Sequence, residues 1–130
     1  MVGHSLVQKL IDAGHDVHLL DWGEVDENDR GRPLATFLLD YIGLAVDWIC
    51  DDLEVPAVSL VGVCQGGTFS LCYASVFPHK IERIATLITP VDFHAGDSLL
   101  THWCRHVDTE LLERAPSNIP GSVILSLIHI

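Results

Sequence analysis

Apolar residues recur along the chain first at helical and then at strand spacing. Leu6, Val7, Leu10 and Ile11 form one helical stripe with Gly14 behind them as a C-terminal stop, so the pattern predicts an amphipathic helix over Ser5 to Ala13. Val17-His18-Leu19-Leu20-Asp21 then reads as a short buried strand. The charged stretch from Asp26 to Pro33, broken by Gly31 and Pro33, reads as a loop. Beyond it, Leu34, Phe37, Leu38, Tyr41, Ile42, Ala45, Val46, Trp48, Ile49 and Leu53 keep a helical period over roughly five turns. This is the clearest helix in the sequence.

Pro56 interrupts that period. Val58 to Gly62 predicts a second strand, Gly67 to Val76 a second crossover helix ended by Pro78, and Ile84 to Ile88 a third strand. Strands alternating with helices through short loops imply an α/β fold, here a parallel sheet of about three strands with right-handed crossovers and flanking helices. Thr89 to Gly96 follows as a loop. Leu99, Leu100, Trp103, Val107 and Leu111 mark a last helix, with Asp97 or Ser98 as its cap.

The junction between the second strand and its helix is Gly62-Val63-Cys64-Gln65-Gly66-Gly67. Glycines two before and two after a central residue match the G-x-S-x-G nucleophile elbow of α/β-hydrolases, with sulfur in place of oxygen. An elbow sets its central side chain at the carboxyl edge of the sheet in a strained backbone, and small neighbours at Gly62, Gly66 and Gly67 let strand and helix tolerate it. The helix would aim its N-terminal amides and the positive end of its dipole at the Cys64 sulfur, favouring the thiolate. The amide of Gln65 is placed to donate to an oxyanion. The plain alternative is a small free cysteine packed in a tight turn. The complete strand, elbow and helix context favours the nucleophile.

Cys50 and Cys72 fall within helices and read as core residues. A thiol nucleophile needs a base, and an imidazole base needs an orienting acid. Asp92 and His94 follow the next strand on the same sheet edge as Cys64, but a pair two residues apart is poorly suited to act as a relay on one nucleophile. His102 and His106 share a helical spacing without a third ligand, a weak metal signal. The run Asp26-Glu27-Asn28-Asp29 lacks the spacing of a calcium loop and reads as a solvated turn.

The totals narrow the setting. A chain of 130 residues, 48% of them hydrophobic, suits one globular domain or a piece of a larger one. The formal charge of −11, without a basic stripe, argues against an electrostatic nucleic-acid surface. Four cysteines, Cys50, Cys64, Cys72 and Cys104, show neither CxxC spacing nor the density of a disulfide scaffold. With no signal peptide and no apolar run near the ~20 residues of a membrane span, a soluble protein of a reducing cytoplasm is expected.

Three separated stretches carry a resemblance: Asp16-Val17-His18-Leu19-Leu20-Asp21-Trp22-Gly23, the run from Gly62 through Ala74, and Thr89-Pro90-Val91-Asp92-Phe93. Together they resemble the polyhydroxyalkanoate synthases, and Cys-Gln-Gly-Gly-Thr-Phe with Leu-Cys-Tyr-Ala is most similar to the class III catalytic subunit. The likeness runs from about Ser5 to Gly121. It implies an α/β-hydrolase-fold acyltransferase that polymerises 3-hydroxyacyl groups, typically 3-hydroxybutyryl, from coenzyme A thioesters into polyester. It implies Cys64 as the acyl-carrying nucleophile, no cofactor and no metal, a second subunit, and a cytoplasmic granule surface. Members of the family carry their catalytic aspartate and histidine far downstream of the cysteine, so neither has a matching position here. Ser122 to Ile130 does not resemble the family, and a fragment is expected, marginal and prone to associate because parallel sheets are normally covered and extended. The remaining alternatives are a dienelactone-hydrolase-like cysteine hydrolase and a noncatalytic α/β module.

Overall fold

The computed structural model describes residues 5–24, 26–29, 31–92, 95, 101, 102, 105, 106, 108, 110 and 114. Contacts divide the chain into one unit from Met1 to Thr89 and another from Pro90 to Ile130.

Helix α1 spans Leu6–Asp12. Ser5 caps it, its hydroxyl accepting the Gln8 amide at 3.3 Å, and Gly14 follows at φ 87°, the left-handed conformation that suits a glycine past a helix end. The strand expected over Val17–Asp21 does not form: residues 15–24 carry no ladder, and Leu19 is 78% exposed. A strand exists only through a partner's hydrogen bonds, which alternation in the sequence cannot supply. This segment is held by other means. The Asp21 carboxylate accepts the Gly23 amide at 2.9 Å, and the Trp22 ring meets Phe37, Phe69 and Tyr41 at 5.9, 6.0 and 6.1 Å. The following loop folds into a short 3₁₀ turn at Glu27–Asp29, where the Asn28 amide at 2.7 Å holds the Asp26 carboxyl below its usual value.

The long helix is continuous but not uniform. After an α-helical opening at Leu34 and Ala35, Thr36–Ile42 is π-helical, and Gly43–Asp52, helix α2, is α-helical again. The wider winding coincides with the aromatic cluster, where Phe37 and Tyr41 stack edge to face at 5.6 Å beside Trp22 and Phe69. That is a tertiary contact no local period encodes. Strand β1, Val58–Val63, leads into helix α3, Gln65–Val76, and a 3₁₀ turn at Pro78–Lys80 leads into strand β2, Ile81–Leu87.

The two strands pair in parallel, with register from Ser59 opposite Arg83 to Val63 opposite Leu87. Among the described residues the sheet thus has two strands, not three. Ile42, Val46 and Tyr73 form the buried centre, joined by Leu38, Cys50, Val58, Leu60, Phe69, Phe77 and Ile81. Helices α2 and α3 therefore cover the face that carries Leu60. On the other face Val61 and Val63 remain 49% and 50% exposed. The last predicted helix lies largely, and the 122–130 tail wholly, outside the described residues.

The β1–α3 junction is tight at two glycines and open at the third. A side chain at Gly62 would lie 2.7 Å from the Gly66 carbonyl oxygen and the Gly67 nitrogen, and one at Gly67 would run into Thr89. Around Gly66 the space is free, so among the described residues the elbow does not need its glycine on steric grounds. Gly67→Ala is expected to destabilise the chain by about 1–3 kcal/mol through overpacking. Gly66→Ala is expected to be neutral or to stabilise by about 0.5–1 kcal/mol through helix propensity. Urea unfolding of the two variants checks the contrast.

Tyr73 is 1% exposed, and among the described residues its hydroxyl has no hydrogen-bond partner. Burial pushes its phenol above the ordinary value. The Lys80 ammonium is raised too, chiefly by its hydrogen bond to Asp47. Both groups hold their protons more tightly folded than unfolded, so their contribution is full below the unfolded values and is lost as pH rises beyond about 10. Tyr73→Phe is expected to stabilise the chain by about 1 kcal/mol at neutral pH by removing the orphan hydroxyl. It should also reduce the fall in stability above pH 10. Urea midpoints at neutral and alkaline pH measure both effects.

Candidate active site

Cys64 lies between the last residue of β1 and the first of α3, at φ 52° and ψ −123°. Positive φ is costly for a residue with a Cβ, on the order of 1–3 kcal/mol, and persists only where the surroundings impose it. Here they do so from both sides. The Cys64 amide donates to the Leu87 carbonyl at 2.9 Å, continuing the ladder to β2, and the Cys64 carbonyl accepts the Gly67 and Thr68 amides at 2.9 and 3.3 Å, opening α3. The residue is thus the last rung of the sheet and the first acceptor of the helix. A chain meeting both demands must turn sharply, and the close approach of Gly62 to Gly67 makes the turn possible.

The turn leaves Cys64 exposed at the carboxyl end of β1. Gln65 is the first residue of α3, and amides in a first helical turn have no partner within the helix. A soft nucleophile beside the opening amides of a helix is an arrangement suited to acyl transfer: sulfur attacks a carbonyl carbon, and an amide stabilises the oxygen as it becomes negative. Cys50 and Cys72 differ in position and exposure. Both are half-buried within helices, and Cys50 packs against the core. Cys104 lies outside the described residues.

Asp92 belongs to the second unit, where its carboxylate accepts the Ala95 amide at 3.2 Å. His94 lies outside the described residues. His102 and His106 do come together, with ring centroids 4.7 Å apart, but Nδ1 of His106 is 2.8 Å from the His102 carbonyl oxygen. That nitrogen serves the backbone, and among the described residues no group of three ligand-type side chains could hold a metal.

Sequence reasoning missed Ile88. It stands directly after β2 at φ 49° and is 87% exposed. A β-branched residue is poorly suited to this conformation, and nothing in the pattern announces it. Thr89, which follows and packs on Gly67, had only Pro90 as a signal, because proline restricts the residue before it.

A family model described as the alpha/beta hydrolase fold matches residues 2–117. The chain is 41% identical over 120 residues to a poly(3-hydroxyalkanoate) polymerase subunit PhaC of Thiocystis violacea, covering 92% of this chain and 34% of that protein. It is 40% identical to the subunit of that name from Allochromatium vinosum, with the same coverage. The PhaC subunit of a Synechocystis species is 42% identical over 128 residues, covering 94% of this chain and 34% of that protein. The chain spans about a third of the length of these relatives. No solved structure matches. With a strand, a strained cysteine turn and a helix in the order that the matched family expects, the chain belongs to the alpha/beta hydrolase fold family and is similar within it to the PhaC polymerase subunits.

Proposed function

We propose that the chain is the nucleophile-bearing part of a polyhydroxyalkanoate synthase, and that residues 1–121 are its share of the hydrolase core. The observation that carries this reading is the positive φ of an exposed Cys64 at the end of a parallel strand. Strain of this kind is maintained at functional sites, and a packing cysteine has no use for it. The Cys64 sulfur attacks the carbonyl of a 3-hydroxyacyl coenzyme A, a new carbon–sulfur bond replaces the old one, and coenzyme A departs as the thiol. Exchange of one thioester for another keeps the acyl group activated, so the hydroxyl of a second unit can take it and extend the chain. An oxygen ester would lack that reactivity.

Gln65 donates its amide to the oxyanion, and Gly62 and Gly67 hold the turn. The base and acid that complete this chemistry come from outside these 130 residues. The second subunit of the class III enzymes and a granule surface belong to the same proposal. Among the described residues, no helix is long and apolar enough to cross a membrane. The competing reading is a cysteine hydrolase of the dienelactone type, since the same elbow would serve it.

A protein extended to the length of its relatives should release coenzyme A from 3-hydroxybutyryl-coenzyme A and form polyester, and Cys64→Ala should abolish both. Hydrolysis of a dienelactone without coenzyme A release would favour the hydrolase instead. The 130-residue chain alone is expected to show no steady turnover. If it released coenzyme A continuously, and Cys64→Ala stopped it, the base and acid would have to lie within it.

A further inference from the structure

Thr89 is bound to the elbow through two separate contacts. Its hydroxyl donates to the Leu87 carbonyl at 3.2 Å, and that same carbonyl accepts the Cys64 amide at 2.9 Å. Its side chain also lies over Gly67, with Oγ1 the nearest of its atoms to the place where a Cβ would stand. Gly67 in turn lies against Gly62, and its amide donates to the Cys64 carbonyl. The nucleophile turn is thus enclosed: Gly62 on the strand side, Gly67 on the helix side, and Thr89 closing the stack from the end of β2.

The backbone that puts Thr89 there is itself strained. Ile88 takes φ 49° although it is β-branched and 87% exposed. No burial of its side chain compensates for that conformation. What the left-handed turn achieves is to end β2 abruptly and bring the next side chain back over the first turn of α3. Two non-glycine residues at positive φ, Cys64 and Ile88, therefore follow directly upon the last pair of the ladder, Val63 and Leu87.

We infer that Thr89 is a positioning residue for Cys64: its hydroxyl, shared onto the Leu87 carbonyl and seated on Gly67, fixes the distance between the thiol and the amides of the first turn of α3. The inference rests on the reading of Cys64 as the nucleophile. Valine replaces the hydroxyl by a bulkier methyl, removing the hydrogen bond and pressing on Gly67. Serine keeps the hydroxyl and removes only the methyl.

The experiment is alkylation by iodoacetamide of the 130-residue chain at neutral pH, with the rate at each cysteine read by peptide mass spectrometry and thermal unfolding recorded in parallel. Thr89→Val is expected to slow Cys64 by about threefold or more, since small misplacements of reacting groups have large kinetic effects, while Cys50 and Cys72 keep their rates. Thr89→Ser should stay within about twofold of the parent at all three. An unchanged Cys64 rate in a folded Thr89→Val chain overturns the inference. So does an equal change at every cysteine, which would mean general loosening. If the valine variant does not fold, a Thr89→Ser rate more than about threefold from the parent overturns it, because the hydroxyl would then not be the positioning group. Failure of the nucleophile reading has a different signature. The parent Cys64 would react no faster than N-acetylcysteine, whatever the variants do.

Discussion

The contact between the backbones of Gly62 and Gly67 is the constraint on which the rest of the structure depends. It lets a strand and the helix after it approach so closely that a Cβ on Gly62 would collide with the Gly67 backbone. Once they are that close, the residue between them cannot remain extended or become helical. It is forced to positive φ, and its side chain is left exposed. The cost of that strain is on the order of 1–3 kcal/mol, small enough to be offset by the Leu87 ladder bond, the α3 opening bonds and the packing of α3 on the sheet. An exposed, conformationally fixed thiol results from those packing requirements.

The core serves the same end from the other side. Tyr73 on α3 is fully buried against Ile42 and Val46, and Phe69 one turn earlier joins the ring cluster of Trp22, Phe37 and Tyr41. These contacts fix the body of α3, so its first turn cannot relax away from Cys64. The orphan hydroxyl of Tyr73 and the π-helical segment are two local compromises in that packing. Both lie where helices meet, and neither lies at the elbow. Among the described residues the face bearing Val61 and Val63 is half exposed, whereas a parallel sheet is normally covered on both faces.

Acyl transfer through sulfur, the proposed function, would give the arrangement its chemical sense. A serine at this turn could cleave esters as well. On the proposed function, sulfur would add an acyl intermediate close in energy to the coenzyme A thioester it came from, so the group could be held and passed to a growing chain. The proposed role of Thr89 extends this economy of means, because one carbonyl, that of Leu87, both completes the ladder to Cys64 and anchors the residue that closes the turn.

The sequence by itself determined the elements whose signals are local. Ser5 and Gly14 bracket α1, the apolar run at Val58 became β1, and Gly62, Cys64 and Gly67 announced the turn, because caps, breakers and steric size act over a few residues. The relatives bear out the resemblance drawn from three such stretches. Only the tertiary structure decided the rest. Val17–Asp21 has the right alternation yet forms no strand, since a ladder needs a partner that periodicity does not specify. The helical period from Leu34 could not reveal the π-helical segment at Thr36–Ile42, which coincides with rings from three separate segments. Gly66 looked as necessary as its neighbours until the free space beside it was seen. Ile88 carried no signal of strain, and Pro90 after Thr89 gave none of proximity to Cys64, because both arise from where the second strand ends against the first helix turn, a relation between residues more than twenty positions apart.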